Sequence, residues 1–364
     1  MKLTKPTLLV DKEKCMSNIR KMANKAKIHN LTFRPHFKTH QSRDIGRWFE
    51  SWGINKITVS SVDMALYFAG DGWNDITIAF PLNINEIERI NMLARGNSIH
   101  LTLLNTEALD TLNDRLNYEV GIFIEIDTGN HRTGIPYTNT NEIRQLKERI
   151  NKSPKLHLKG LLTHAGHTYQ ARSAKEILKI HGETRERLIR VKEQIIKENE
   201  ALLISVGDTP TCTLADEFEG IGEIRPGNFV FYDLQQYKLN ICLLEEIAVC
   251  VACPVVAKYE GRNEIVIHGG AVHFSKDSFS EGDQSVYGYG VVLNDKGWII
   301  PEGKIILGKL SQEHGTLIVS PEIMKKFNIG DFIGVLPVHS CLTADIMGSS
   351  IEVVSGQYHN HMQK

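Results

Sequence analysis

A (β/α)8 barrel of the TIM type, followed by an antiparallel β domain, is the fold class that the sequence predicts. The first observation behind it is that short apolar runs and helical stretches alternate through residues 11–238. The second is that helical periodicity ends after Asn240, where Val, Ile and Gly dominate between turns. We therefore predict a barrel over residues 11–238 and a β domain over residues 1–10 and 239–364. A doubly wound sheet is the alternative for the first part.

Hydrophobic spacing predicts the individual elements in chain order. Thr7–Val10 is predicted as a strand of the β domain, and Asp11 can cap a helix whose apolar positions recur at helical spacing. The predicted barrel strands are Leu31–Phe37, Ile57–Ser60, Ile76–Phe80, Ile99–Leu103, Gly121–Asp127, Leu158–His164, Leu202–Val206 and Phe229–Tyr232. The predicted helices are Asp63–Ala69, Asn85–Ala94, Thr106–Leu116, Asn139–Ile150, Ala171–Asn199 and, in the β domain, Pro321–Phe327.

Composition excludes several functional classes. The chain has 364 residues, 41% hydrophobic and 23% charged, with a formal net charge of −1, so no field favours nucleic acid or an anionic membrane. No apolar segment is long enough for a signal peptide or a transmembrane helix. The six cysteines are scattered, and Cys250 and Cys253 are expected to be packing residues, so we expect a reducing, cytoplasmic location.

Lys38 is the first candidate for chemistry. It follows the run Leu31–Phe37, and the carboxyl ends of barrel strands are where barrel enzymes place their active sites. A lysine there suits an enzyme that binds its cofactor as a Schiff base. Three further polar clusters follow predicted strands directly, at Gly129–Arg132, His164–Tyr169 and Gly207–Thr211, so the four clusters are expected to face one cavity.

Two turns could hold a phosphate, because glycine turns and short hydroxyls supply the donors that phosphate needs. One is the loop that contains Ser205, Gly207, Thr209 and Thr211, and the other contains Gly227 and Asn228. Each turn alone is a weak signal.

His339 and Cys341 could bind a metal. We predict them on a strand, where residues two apart share a face, and an imidazole with a thiolate suits zinc. Two protein ligands leave coordination positions open, as in a catalytic site. The alternative is a buried cysteine beside a hydrogen-bonded histidine. His314 could orient the ligands, whereas His359 and His361 near the terminus are expected to be solvated.

Taken together, these segments resemble the D-serine dehydratase and D-threonine aldolase family of fold-type III pyridoxal-phosphate (PLP) enzymes. The family has an alanine-racemase-like barrel followed by a β domain. The matching segments are Pro6–Asp11, Arg34–His40, Asp127–Gly134, His164–Tyr169, Ser205–Thr211, Arg225–Asp233, Gly288–Gly290, Ser311–Gly315 and Pro337–Thr343.

The resemblance implies roles for these residues. Lys38 would bind PLP covalently, with His36 beside it, while Thr211, Gly227 and Asn228 hold the phosphate. Arg132 and Tyr169 would lie against the cofactor ring, and His339 and Cys341 would bind zinc, or another divalent metal such as Mn2+, beside the substrate. In the racemase branch an arginine at the position of Arg225 contacts the pyridine nitrogen; Arg225 and Tyr169 are both candidates for that contact here.

The implied function is a lyase that acts on a small-molecule D-3-hydroxy amino acid. A His-x-Cys metal pair is more similar to the dehydratases, so D-serine dehydration is favoured, with D-threo-3-hydroxyaspartate as a close variant. The first alternative is a D-threonine aldolase. A racemase would need a second base such as Tyr287 or Tyr289. A non-catalytic PLP carrier and a structural zinc protein are further alternatives. The resemblance also implies a homodimer.

Overall fold

The structure, a computed structural model, describes residues 3–197, 200–348, 350–354 and 362. Within these residues the strands are β1 (Thr7–Asp11), β2 (Thr32–Phe33), β3 (Lys56–Val59), β4 (Asp75–Pro81), β5 (Ser98–Leu103), β6 (Val120–Asp127), β7 (Ile135–Pro136), β8 (Leu156–Leu162), β9 (Leu203–Val206), β10 (Glu223–Ile224), β11 (Val249–Tyr259), β12 (Glu264–His268), β13 (Phe279–Glu281), β14 (Gln284–Val286), β15 (Gly288–Asn294), β16 (Gly297–Ile299), β17 (Ile306–Leu310), β18 (His314–Ile318), β19 (Phe332–Pro337) and β20 (Ile351–Val354).

The α-helices of the same residues are α1 (Lys12–Ile28), α2 (Arg43–Glu50), α3 (Val62–Ala69), α4 (Ile87–Ala94), α5 (Thr106–Arg115), α6 (Thr140–Lys152), α7 (Ala174–Ile195), α8 (Thr209–Leu214), α9 (Leu234–Lys238), α10 (Ala271–Phe274), α11 (Pro321–Met324) and α12 (Ser340–Ile346). None of these helices has the length and apolarity that crossing a membrane requires.

The chain forms two compact units. The barrel unit comprises 21–38 and 46–227, and the β unit comprises 1–20, 39–45 and 228–364. The predicted division at residues 11–238 and 239–364 stays a prediction.

The barrel unit contains the predicted (β/α)8 barrel. Its strands are parallel neighbours in the order β2, β10, β9, β8, β6, β5, β4, β3. A parallel bridge between His36 and Thr58 closes the ring, with Phe37 N donating to Thr58 O at 2.9 Å. β6 is buried from Val120 to Ile126, as expected of a strand covered on both faces.

The helices of the barrel unit begin where the sequence supplies capping side chains. Ser61, Asn105, Asn139 and Ser173 each accept a backbone N–H in the first turn of α3, α5, α6 and α7. Five helices were predicted from apolar periodicity, and the start of α7 lies three residues after its predicted start at Ala171. The predicted end of that helix, Asn199, lies outside the described residues.

The eighth predicted strand is wrong. Phe229–Tyr232 does not form a strand, because Phe231 N and Tyr232 N both donate to Asn228 O and fold this segment into a helical turn. The eighth barrel strand is β10, which pairs with β9 and β2. α2 was also missing from the prediction, although Ile45, Trp48 and Phe49 give it a buried face.

The β unit is built on a sheet in the order β12, β18, β17, β15, β19, β11, β1, β20. β12 also pairs with β11, so the six strands from β12 to β11 close into a ring. The pairs are antiparallel except that β1 and β20 are parallel. Thr7–Val10 joins this sheet as predicted, and Asp11 Oδ1 accepts Lys14 N at 3.1 Å, as expected of a cap for α1.

Candidate active site

Lys38 lies at the carboxyl end of the first barrel strand. β2 continues through the His36–Thr58 bridge that closes the ring, and Lys38 follows two residues later with an exposed side chain. Lys38 N donates to His36 Nδ1 at 3.4 Å. The amine is therefore carried on the backbone that closes the barrel, next to an imidazole.

Two histidines near Lys38 are held neutral. Burial lowers the pKa of His36 well below its usual value, and the charges of Lys38 and Arg225 lower it further. Burial, together with Lys38 and Arg132, lowers the pKa of His164 to about 3. His164 Nδ1 contacts Gly207 O, and because a carbonyl only accepts, Nδ1 carries the proton. Cations therefore surround neutral imidazoles, which makes this end of the barrel suited to an anion.

Arg132 is presented by a loop that Asp127 orders. Asp127 Oδ1 accepts Gly129 N at 2.8 Å and His131 N at 3.1 Å. His131 adopts the left-handed conformation, with φ of 54°, which turns the chain immediately before Arg132. Arg132 and His164 line one small pocket after β6 and β8.

The loop after β9 combines a helix cap with an open hydroxyl. Asp208 caps α8: its carboxylate accepts Thr211 N at 2.8 Å, Thr211 Oγ1 at 2.7 Å and Thr168 Oγ1 at 3.0 Å. Thr209 N donates to the Tyr169 hydroxyl at 3.3 Å. Thr209 Oγ1, in contrast, is buried without a hydrogen-bond partner among the described residues. Of the three hydroxyls predicted to bind phosphate, those of Ser205 and Thr211 donate to Glu223 and Asp208, and only that of Thr209 has its donor unused.

Ser205 and Gly207 support Arg225. Arg225 Nε donates to Ser205 Oγ at 2.7 Å, and Ser205 Oγ donates to Glu223 Oε1 at 2.6 Å. A Cβ on Gly207 would lie 2.9 Å from the Cβ of Arg225, so only glycine allows this approach. Burial lowers the pKa of Arg225 to about 10, which leaves the guanidinium charged at neutral pH.

His339 and Cys341 lie at the start of α12 and not on a strand, so the predicted strand geometry is wrong. β19 ends at Pro337, and His339 is the residue that precedes the first helical residue, Ser340. The two side chains nevertheless meet, because the first helical turn brings Cys341 back toward His339, and they share a hydrogen bond. Cys341 Sγ also lies 3.3 Å from Thr39 Oγ1.

Acidic groups surround His339. Its Nδ1 lies 2.7 Å from Asp277 Oδ2. Burial opposes a charge on this ring, but Cys341, Asp233 and Asp277 outweigh burial and raise the pKa of His339 to about 9. An imidazole that is hydrogen-bonded to a cysteine and held at Nδ1 by a carboxylate is an arrangement that suits a metal.

Asn228 supports the same region through its side chain. Asn228 Nδ2 donates to Asp233 Oδ2 at 2.6 Å and to Ser340 Oγ at 3.0 Å, and it lies 3.6 Å from Cys341 Sγ. Nδ2 of Asn228 is therefore used within the protein, and its backbone carbonyl accepts Phe231 N and Tyr232 N, so its backbone N–H is the group that could make the predicted phosphate contact.

Asp233 and Asp277 were not singled out from the sequence. Asp233 follows Tyr232 in the quoted Arg225–Asp233 segment, but nothing local indicates that its carboxylate is buried. Asp277 lies 62 residues before His339, and only the fold brings the two together.

A second group of ligand-type side chains lies elsewhere in the β unit. Atoms of His268, His273 and Glu313 lie within 4.8 Å of one another. His273 Nδ1 accepts Gly270 N at 3.1 Å, so this ring serves as a helix cap. His314 lies opposite His268 in β18, with an exposed side chain; His359 and His361 lie outside the described residues.

Comparison with known proteins gives matches along nearly the whole chain. The family model described as "Alanine racemase, N-terminal domain" matches residues 10–235, and that described as "Putative serine dehydratase domain" matches residues 248–353. A D-serine dehydratase of Dictyostelium discoideum is 29% identical over 94% of this chain and 91% of its own length. The D-threo-3-hydroxyaspartate dehydratase of Delftia sp. strain HT23 is 26% identical over 94% and 92%.

Solved structures agree with these sequence matches. The Delftia enzyme superposes with a TM-score of 0.90 at 25% identity, covering 100% of this chain and 98% of that one. A D-threonine aldolase of Filomicrobium marinum has a TM-score of 0.79 at 19% identity, covering 95% and 92%, and shows the same fold.

The barrel, the lysine at its rim and the β unit define a fold-type III PLP enzyme with an alanine-racemase-like barrel. The chain belongs to the D-serine dehydratase and D-threonine aldolase family of these enzymes. The predicted family, the predicted fold class and the predicted enzyme class, a PLP-dependent lyase, are confirmed.

Proposed function

We propose that this chain is a PLP- and zinc-dependent lyase that converts D-serine to pyruvate and ammonia, with Lys38 as its catalytic residue. The observation that carries the proposal is the hydrogen-bonded His339–Cys341 pair, in a chain whose relatives include D-serine dehydratases. A metal that can bind a β-hydroxyl has a use in dehydration and none in racemisation.

The residues of the barrel unit fit PLP. Lys38, Arg132 and Arg225 supply positive charge. The neighbouring His36 and His164 have lowered pKa values and are neutral. The buried, unpartnered Thr209 hydroxyl offers a donor to a phosphate oxygen. We assign the remaining phosphate contacts to the backbone near Gly207 and Gly227 of this unit and to the backbone N–H of Asn228, the next residue in the chain.

The residues of the β unit fit a zinc-like metal. A cysteine sulfur and an imidazole that are hydrogen-bonded to each other form a soft donor pair, and Asp277 holds Nδ1 of His339. A solved variant of the Delftia enzyme is described as being in a metal-free form, which supports a metal in this family. Zinc is our choice for a thiolate ligand; Mn2+ is the other candidate.

Each side chain then has a defined task. When bound, PLP supplies an electron sink for the substrate's Cα, and the metal supplies a Lewis acid for the leaving hydroxyl. Lys38 Nζ would hold the cofactor, and as a free amine it would be the base that takes the substrate's α-proton. Arg132 and Tyr169 would lie against the cofactor ring, and Arg225 or Tyr169 would contact its pyridine nitrogen. His164 stays neutral and holds the Gly207 carbonyl in place.

Two alternatives act on the same site. The D-threonine aldolases share the fold, and there a base would take the β-hydroxyl proton instead. A racemase would need a second base such as Tyr287 or Tyr289; burial and the hydrogen bond to Glu281 raise the pKa of Tyr289, so that phenol stays protonated.

Assembly and location complete the proposal. We infer a homodimer, as the family resemblance implies, which sedimentation of the purified chain tests. None of the six cysteines, all within the described residues, forms a disulfide, which supports a reducing compartment such as the cytoplasm.

The decisive experiment is product analysis on the purified protein loaded with PLP and zinc. D-Serine, D-threonine and D-threo-3-hydroxyaspartate are supplied separately, and keto acids, ammonia and glycine are assayed. We expect pyruvate and ammonia from D-serine, lost with a chelator and restored by zinc. Glycine and acetaldehyde from D-threonine with little keto acid would overturn the dehydratase assignment in favour of the aldolase.

Lys38→Ala tests the role of the lysine, and Lys296→Ala, at an exposed position, is its matched control. We expect Lys38→Ala to abolish product formation and Lys296→Ala to leave it unchanged. Borohydride reduction followed by peptide mass spectrometry should place the cofactor on Lys38; a cofactor found on another lysine contradicts the assignment.

A further inference from the structure

Asp233 is a buried carboxylate that receives four hydrogen bonds. It is 0% exposed. Its Oδ2 accepts Asn228 Nδ2 at 2.6 Å, Ser340 N at 3.0 Å and Ser340 Oγ at 3.2 Å, and its Oδ1 accepts Gln236 N at 3.0 Å. A buried charge with several donors fixes the groups that surround it, because moving any of them leaves the charge less well solvated.

The groups that Asp233 fixes belong to two different ligand sites. Asn228 is the residue proposed to contact the cofactor phosphate through its backbone. Ser340 stands between His339 and Cys341 and begins the helix that carries Cys341. One carboxylate oxygen of Asp233 therefore binds both Asn228, in the predicted phosphate-binding turn (the phosphate turn), and Ser340, between the two predicted metal ligands.

The amide of Asn228 has more acceptors than hydrogens. Its NH2 group carries two hydrogens, while Asp233 Oδ2, Ser340 Oγ and Cys341 Sγ lie at 2.6, 3.0 and 3.6 Å. How the two hydrogens are shared depends on whether Cys341 Sγ binds a metal, because metal binding occupies a lone pair of the sulfur and changes how well it accepts a hydrogen bond. The position of Asn228 is thus sensitive to what is bound at Cys341.

We propose that Asp233 is a positioning residue that couples metal binding at His339 and Cys341 to cofactor binding at Asn228. The inference rests on the proposed function. Metal binding sets the Asn228 amide, and through it the phosphate turn, in the arrangement that PLP prefers. Since coupling between two ligands is reciprocal, PLP raises the affinity for the metal by the same factor.

The test is a pair of titrations of apoprotein prepared from the purified enzyme. PLP is titrated with zinc present and with zinc removed by a chelator, and the ratio of the two dissociation constants is the coupling factor. We expect the metal to tighten PLP binding at least about fivefold in the wild-type protein. Zinc titrated with and without PLP should give the same factor.

Three variants separate coupling from damage to either site. Asp233→Asn should bring the factor close to one, while PLP and zinc each still bind. Ser340→Ala removes the hydroxyl between Asn228 and Asp233 and should lower the factor even if Asp233→Asn does not fold. Asp277→Asn is the matched control: it should weaken zinc binding and leave the factor unchanged, because Asp277 contacts His339 and, among the described residues, makes no hydrogen bond to Asn228.

A wild-type factor of one, or a factor unchanged in Asp233→Asn or Ser340→Ala, would overturn the inference. This failure is distinct from failure of the proposed function. If the protein forms pyruvate from D-serine but shows no coupling, the proposed lyase function stands and the coupling role of Asp233 is excluded. Coupling in a protein that releases no keto acid would retain that role and exclude the dehydratase.

Discussion

At the scale of single residues, His339 shows how the protein prepares a metal ligand. Its Nδ1 lies 2.7 Å from Asp277 Oδ2, and its ring also shares a hydrogen bond with Cys341. A carboxylate on one ring nitrogen fixes the ring's orientation and makes the other nitrogen a better ligand.

Asp277→Asn should therefore weaken metal binding by about 10- to 100-fold. The measurement is competition for zinc with a chelator of known affinity. Asp295→Asn, in the exposed Asn294–Gly297 turn, is the control and should bind zinc as the wild type does. Equal affinity in the two variants would exclude Asp277 from the support of His339.

The two threonines of the α8 loop should differ in their effect on the cofactor. Thr209 Oγ1 has no hydrogen-bond partner in the part of the chain that the structure describes, whereas Thr211 Oγ1 donates to Asp208. Thr209→Val should raise the PLP dissociation constant by about tenfold, because a hydrogen bond to a charged group contributes roughly 1.5–3 kcal/mol. It should cost little folding stability, since no protein hydrogen bond is lost. Measurement is by PLP titration and chemical denaturation.

Thr211→Val gives the complementary result. Loss of the Asp208 contact should lower the free energy of unfolding by about 1 kcal/mol, with the smaller effect on PLP. The reverse order of the two effects would show that Thr211 is the hydroxyl that binds phosphate.

At the scale of elements, a buried charge network joins the strands of the barrel. Arg34, which follows β2, donates to Glu223 of β10 at 2.7 Å and to Asp75 of β4 at 2.5 Å. Arg34 and Glu223 are almost fully buried, with side-chain exposures of 4% and 1%. Removing one partner of such a pair leaves the other charge buried and uncompensated.

Arg34→Met should lower the free energy of unfolding by about 3–5 kcal/mol. Arg89→Met is the matched control, because Arg89 pairs with Asp63 and Glu86 at the exposed surface, and such pairs contribute about 0–1 kcal/mol. Chemical denaturation of both variants measures the difference. If both variants lost a similar amount of free energy of unfolding, the Arg34 network would not stabilise the barrel more than a surface ion pair does.

The elements also show where sequence patterns suffice. β6 was predicted at Gly121–Asp127 and observed at Val120–Asp127, because a strand buried on both faces has a continuous apolar run. β10 was missed because it is two residues long and begins with Glu223, a charge whose burial depends on Arg34, 189 residues away. Phe229–Tyr232 was mistaken for a strand because its apolar residues are buried in a turn.

At the scale of the whole molecule, the histidines set how stability depends on pH. In the metal-free protein the pKa of His339 is raised from 6.5 to about 9, so the folded state holds its proton more tightly than the unfolded state. The stability that this proton contributes to the folded state is fully present below pH 6.5 and is lost as the pH rises to about 9. The lowered pKa of His164, about 3 against 6.5, acts oppositely: stability rises with pH between these values.

We therefore expect the free energy of unfolding of the chelated protein to fall between pH 6.5 and 9. His339→Asn should flatten this part of the profile, and the difference between the two proteins isolates His339 from other groups. Denaturation at a series of pH values measures it. A profile with the same slope in both proteins would show that the imidazole does not carry the raised pKa.

The sequence by itself determined the class of this protein. The alternation of apolar runs and helices is a local pattern that predicts a (β/α)8 barrel, and residues such as Lys38 and His339-x-Cys341 carry the family resemblance. These features can be recognised from the sequence alone because each depends only on residues that are neighbours in the chain.

Only the tertiary structure decided how the site is supported. Asp233 and Ser340 are 107 residues apart, Asp277 and His339 are 62 apart, and neither contact leaves a local signal in the sequence. The same holds for the hydroxyls of Thr209 and Thr211, which look equivalent in the sequence until Asp208 is seen to use one of them. Hydrogen bonds between distant segments form only when the fold brings them together. Burial then strengthens these bonds and makes an unpaired polar group costly.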